Sequence, residues 1–181
     1  MTWYADEIIL RATPRALALV STSQTLRPFS YHVRSLAGHH WYRKEHEHSL
    51  PEEGLLVIRP VGPQLFETNN AAPLRAEVTN ELLTLLDGET TPPPTSLRQA
   101  LAAMAATLDQ AVIYYSCRMW AGDIDYEYCL SYGPDEALLV TQPDSEDSLR
   151  AGLRKVGLDL PTHYFALHTR EFPWDTHKLT G

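Results

Sequence analysis

The stretch GHHWYRKEHEHSLPE (38–52) holds four of the chain's eight histidines, His39, His40, His46 and His48. Neutral imidazoles and carboxylates are the ligands of divalent transition metals, and imidazole is the side chain that titrates near neutral pH. His46 and His48 share one face if the segment is extended, and Glu52 follows four positions after His48. Three readings compete here: a metal centre, a pH-responsive contact and a solvated polar loop. A second set lies in VIYYSCRMWAGDIDYEYCLSYGPDEALLVTQ (112–142), where Asp123, Asp125 and Glu127 recur at every second residue. On one strand face such carboxylates can share a hard cation, meet a basic partner, or simply face water.

The run from His46 to Glu52 resembles part of the metal signature of the cupin family, in which a glycine, an HxH pair and a glutamate lie on strands of a small barrel. That resemblance implies a metal held by His46, His48 and Glu52. It covers about 15 residues, a span too short to identify a family alone. Gly38 stands too far ahead of His46, and RPVGPQLFETNN (59–70) supplies neither the correctly spaced second motif nor its histidine. The stretch is therefore read as a polar segment without a metal, and no cofactor is expected. HExxH, GxSxG, GxGxxG, P-loop and CxxC motifs are absent.

The elements around these residues follow from hydrophobic pattern. Segment 112–142 reads as a three-stranded antiparallel meander, with turns at Ala121-Gly122 and Gly133-Pro134-Asp135. Placing Trp120 opposite Asp123 pairs Met119 with Ile124, Cys117 with Tyr126, Tyr115 with Tyr128 and Ile113 with Leu130 on one buried face. The other face then pairs Arg118 with Asp125 and Ser116 with Glu127, and Cys117 and Cys129 point to opposite faces. EIILRA (7–12) and RALALVST (15–22) read as two strands of a hairpin broken by Thr13-Pro14, and FSYHVRSL (29–36) as a third. GLLVIRPVGPQLFET (54–68) reads as two short strands with a bend.

Helices are predicted near 74–87, 97–109 and 146–156, the last ending at Gly157. The aromatic tail, with Tyr164, Phe165, Phe172 and Trp174, should dock on the body. The expected fold is α+β: an antiparallel sheet, mainly the 112–142 meander, packed against about three helices. Residues 1–181 read as one domain. A proline-rich linker at 89–95 would separate a β-rich part (1–90) from a helix–meander–helix part (95–181) if the chain is subdivided.

With 23 acidic against 15 basic residues the formal charge is −8, which speaks against general nucleic-acid binding. Two cysteines form no disulfide framework, and no apolar run approaches the roughly 20 residues that span a bilayer. These features give the expectation of a soluble, cytoplasmic protein. The functional expectation is a non-catalytic binding or inhibitory protein, of the physical type of an immunity or antitoxin protein. Its contact residues would be Arg118, Trp120, Asp123, Asp125, Glu127 and Tyr132, set against a basic partner protein. The alternative is a small metal-dependent enzyme using His46, His48 and Glu52, or the Asp123/Asp125/Glu127 rib.

Overall fold

The structure, a computed structural model, describes residues 2–24, 26–36, 50–59, 95–120, 123–133, 139–141, 148–159 and 172–179. At 2–6, 95–100, 116–120, 123–128, 139–141 and 148 it is the backbone that is described. The elements are β1 (Thr2–Arg11), α1 (Pro14–Thr22), β2 (Ser30–Val33) after a short 3-10 turn (Arg27–Phe29), and β3 (Leu55–Ile58). There follow α2 (Thr95–Leu108), β4 (Val112–Trp120), β5 (Asp123–Tyr132), β6 (Leu139–Thr141), α3 (Ser148–Lys155) and α4 (Trp174–His177). The strands form one open sheet of six in the order β2-β3-β1-β4-β5-β6, with every pair antiparallel. The fold is thus α+β, as the apolar runs imply, and the N-terminal strands extend the meander rather than build a second sheet.

Continuous apolar runs, rather than alternating ones, mark strands buried on both faces. Ile8, Leu10, Leu56, Ile58, Val112, Tyr114 and Leu130 pack on one side with Ala16 and Val20 of α1 and Leu101, Ala105 and Leu108 of α2. Ile9, Leu55, Val57, Ile113, Tyr115 and Cys129 pack on the other with Leu149 and Leu153 of α3. The predicted helices at 97–109 and 146–156 are present as α2 and α3. Helix 74–87, most of the linker 89–95 and the second strand of 54–68 lie outside the described residues.

Two expectations need correction. Residues 15–22 form a helix, not a strand. The Thr13 side chain caps it by accepting from the Ala16 N–H at 3.3 Å, and Pro14 occupies the first turn, where its missing N–H costs nothing. The hairpin register also differs. Trp120 does face Asp123, and Met119 faces Ile124, but the register then shifts at Arg118/Met119. Arg118 therefore pairs with Tyr126, Cys117 with Glu127, Ser116 with Tyr128 and Tyr115 with Cys129, and Asp125 is the extra residue of a bulge. Since alternate residues share a face, positions 117 and 129 fall on the same one. The expected segregation assumed a single buried face, whereas both Tyr114 and Tyr115 are buried.

Helix α3 closes with a glycine at φ +86°, Gly157. The Leu158 N–H reaches the Leu153 carbonyl at 2.9 Å and the Gly157 N–H reaches that of Arg154 at 3.1 Å, a Schellman arrangement that brings Leu158 back onto Leu153 in the core. The same helix meets the sheet at Gly152, where an added Cβ would lie 2.6 Å from Cys129 Sγ and 3.2 Å from Ile113 Cγ2. In an open helix, glycine to alanine gains up to about 1 kcal/mol. Here overpacking reverses the sign, and Gly152→Ala should lose about 1–3 kcal/mol, read as a lower urea midpoint. Adding Cys129→Ala should return part of that loss, because the two sites are in contact. A raised midpoint in Gly152→Ala would contradict this packing.

Candidate functional site

The C-terminal segment clasps the outer edge of the sheet. Its anchor begins inside the core, at Glu7 of β1, a carboxylate with no exposure. Ile8 pairs with Ile58, so the next residue of each strand, Glu7 and Arg59, continues the register. Arg59 Nε lies 3.3 Å from Glu7 Oε1, and its guanidinium carbon stands 4.1 Å from the centre of the Trp174 ring. A guanidinium sandwiched in this way is held by charge on one side and by the indole quadrupole on the other.

Trp174 meets Tyr31 edge-on at 5.0 Å and Phe172 at 4.7 Å, and Phe172 stacks on His177 at 5.2 Å. Burial raises the Tyr31 hydroxyl's pKa, an effect that Arg59 opposes and Asp175 reinforces. The chain then crosses the edge of β2: Lys178 bridges Tyr31, and the Leu179 N–H donates to the Ser30 carbonyl at 2.9 Å. Phe172 and Trp174 belong to the α3 side of the sheet, Leu179 to the α1–α2 side. The expected docking of the tail is thus present at 172–179, while Tyr164 and Phe165 lie outside the described residues.

Crossing the edge leaves a cleft of about 430 Å³. His32, Arg34 and Ser35 form one wall, and Thr176, His177, Lys178 and Leu179 the other. His32 and Arg34 are two apart on β2 and its extension, which sets them on one side. His32 Nε2 stands 2.8 Å from the Glu53 carbonyl, which can only accept, so Nε2 carries the proton. Arg34 Nε is also a donor, so its 3.5 Å approach to that nitrogen is no hydrogen bond.

The residues singled out by sequence are spread out. Arg118, Trp120, Asp123, Asp125 and Glu127 are described by their backbone, at the outer ends of β4 and β5. The bulge puts Asp123 with Trp120 on one face and Glu127 with Cys117 on the other, so the acidic rib is not a single line. Tyr132, expected beside the rib, is instead 6% exposed in the core between Val112 and α2. His39, His40, His46 and His48 lie outside the described residues, and Glu52 is exposed in the turn before β3. No group of three or more potential metal ligands occurs among the described residues. No described helix is long and apolar enough to cross a membrane. Sequence reading missed the cleft because positions 32–35 and 176–179 share no local spacing.

Burial lowers the His177 pKa from the ordinary imidazole value; a hydrogen bond to the His32 backbone opposes this, and repulsion from His32 adds to it. Folded His177 therefore stays neutral to lower pH than it does in the unfolded chain. Its contribution to stability is complete above the unfolded value of about 6.5 and is lost as pH falls through the lowered folded value. Urea midpoints at about pH 7.5 and about pH 5.5 should differ less in His177→Gln than in the native chain. An equal difference in both proteins would contradict the burial of a neutral imidazole. No family model, curated protein or solved structure matches this chain, so the roles of the clasp, the cleft and the strand ends rest on their own chemistry.

Proposed function

We propose that the protein is a non-catalytic binding protein that covers a basic surface of a partner protein, in the manner of an immunity or antitoxin protein. The contact surface is the outer end of the sheet. The observation that carries this reading is a three-strand tongue, the far ends of β1, β4 and β5, which runs past the described parts of β3 and β6. Among the described residues, β3 pairs with β1 over Ile8–Arg11, and β6 pairs with β5 over Cys129–Ser131. The β1–β4 pairing, by contrast, continues out to Thr2 and Trp120. At about 3.3 Å per residue, the tongue runs roughly 15–20 Å past the described residues of β3 and β6.

Among the described residues no strand covers either edge of this tongue. It carries Trp3, Tyr4 and Asp6 on β1 beside Arg118 and Trp120 on β4 and Asp123, Asp125 and Glu127 on β5. Aromatic and arginine side chains are the ones enriched in interface hot spots. A net charge of −8 speeds encounter with a cationic surface and suppresses association with anionic ones. The bulge at Asp125 adds local twist, which discourages indiscriminate pairing of strand edges.

The test is charge reversal on the tongue. With a basic partner recovered by affinity capture, Asp123→Lys, Asp125→Lys and Glu127→Lys together should slow association by about ten-fold or more at low salt, with a smaller effect at high salt. Trp120→Ala should act mainly on the dissociation rate, by roughly 30-fold if it is a central anchor. A folded triple variant that binds with unchanged rates would remove the tongue from the interface.

A further inference from the structure

We propose that the C-terminal clasp is exchangeable between copies of this chain: residues 172–179 of one copy dock on the β2 edge of a second, in the same seat that they take on their own. The seat stands without the clasp. Arg59 pairs with Glu7 of β1, and its backbone N–H donates to the Phe29 carbonyl at 2.9 Å, so the strands themselves fix it. Ser30 and Tyr31 are held by the β2–β3 register, opposite Ile58 and Val57. β2 is the outermost strand, and the Ser30 carbonyl on its outer side accepts from Leu179. Such an acceptor is pre-organised, so filling it costs little ordering on that side.

The segment is equally self-contained. The Trp174 N–H donates to the Phe172 carbonyl at 2.8 Å, and the Thr176 N–H and hydroxyl donate to the Pro173 carbonyl at 3.0 and 2.8 Å. These bonds lie inside 172–179 and travel with it. Pro173, Asp175, Thr176 and Lys178 are exposed, and Phe172 is the segment's one buried residue. A short, mostly exposed piece opens at lower free energy than the core. The occupant is a second copy because the fit is demonstrated for this sequence, and every copy carries it. Exchange repeats each contact of the closed chain, so the open and exchanged states differ mainly through concentration, with effective values for a linked segment on the order of mM. Because the exchange is reciprocal, the assembly closes at two chains with both β2 edges covered. Asp175 and Lys178 balance within the segment, while the chain's charge of −8 opposes the approach of two copies, an effect that salt screens. The surface is independent of the tongue: it lies toward the Arg11 end of β1, away from Thr2.

The experiment is complementation between two full-length variants, read by amide NMR at high salt. Trp174→Ala keeps the seat and spoils the segment, whereas Arg59→Gln spoils the seat and keeps the segment. Unlabelled Arg59→Gln chain is titrated into isotope-labelled Trp174→Ala chain. Saturable shifts at Ser30, Tyr31, His32 and Arg59 are expected, with a two-chain complex by sedimentation. A donor carrying both substitutions should bind more weakly by about ten-fold or more, the scale of an aromatic anchor. Where either substitution disturbs the core, seen as faster exchange at the Ile113 amide, Leu179→Pro serves as the acceptor, since it lacks the N–H given to Ser30, and Tyr31→Ala as the donor. Absence of saturable shifts with the donor chain would overturn the proposal, because the seat then refuses the segment from another copy. Equal binding by the doubly substituted donor would overturn it too. Shifts produced by a free peptide of residues 172–181 but not by the donor chain would give the seat to foreign segments and rule out exchange between copies.

Discussion

A carboxylate with no exposure to water stands in the central strand, and three distant segments meet because of it. Burying an ion costs several kcal/mol unless it is paired, so Glu7 fixes where Arg59 must lie as the chain leaves β3. Arg59 in turn offers its other face to Trp174, which draws the end of the chain across the β2 edge. That edge would otherwise present unpaired backbone groups; the Ser30 carbonyl instead accepts from Leu179. The cleft is a consequence of the same crossing, since the clasp supplies one of its walls.

Glu7 also marks a boundary along β1. From Ile8 to Arg11 the strand has neighbours on both sides and helices on both faces, while toward Thr2 its described partner is β4 alone. The packed end of the sheet carries the cleft, and the extended end carries the acidic and aromatic tongue.

Much of this was legible in the sequence where pattern and burial agree. EIIL, LLVI and VIYY gave strands, the leucine and alanine stripe gave α2, and Gly157 marked the end of α3. The failures share a cause: a local rule with two readings. Thr13-Pro14 both breaks a strand and starts a helix, and only the packing of Ala16 and Val20 on the sheet decides between them. The expected hairpin register rests on one buried face, but the strands are buried on both faces between Val112 and Tyr115, and the bulge at Asp125 shifts the pairing beyond them. Tyr132, expected as a contact residue beside the acidic rib, is core. Of the sites, the local motifs were visible, but the cleft joins His32 of β2 and Arg34 just after it to His177 and Lys178 near the end of the chain, and tertiary structure alone brings these together.

The claim that the Glu7–Arg59–Trp174 chain holds the clasp is tested most directly by hydrogen exchange of the Leu179 amide in Arg59→Gln. Its rate should be compared with that of the Ile113 amide in the same sample, so that a general loss of stability cancels. The account predicts that Leu179 exchanges faster by about ten-fold or more relative to Ile113, as the clasp opens without the core. An unchanged ratio would mean that the clasp is held by its other contacts, and that the buried pair does not organise this edge of the protein.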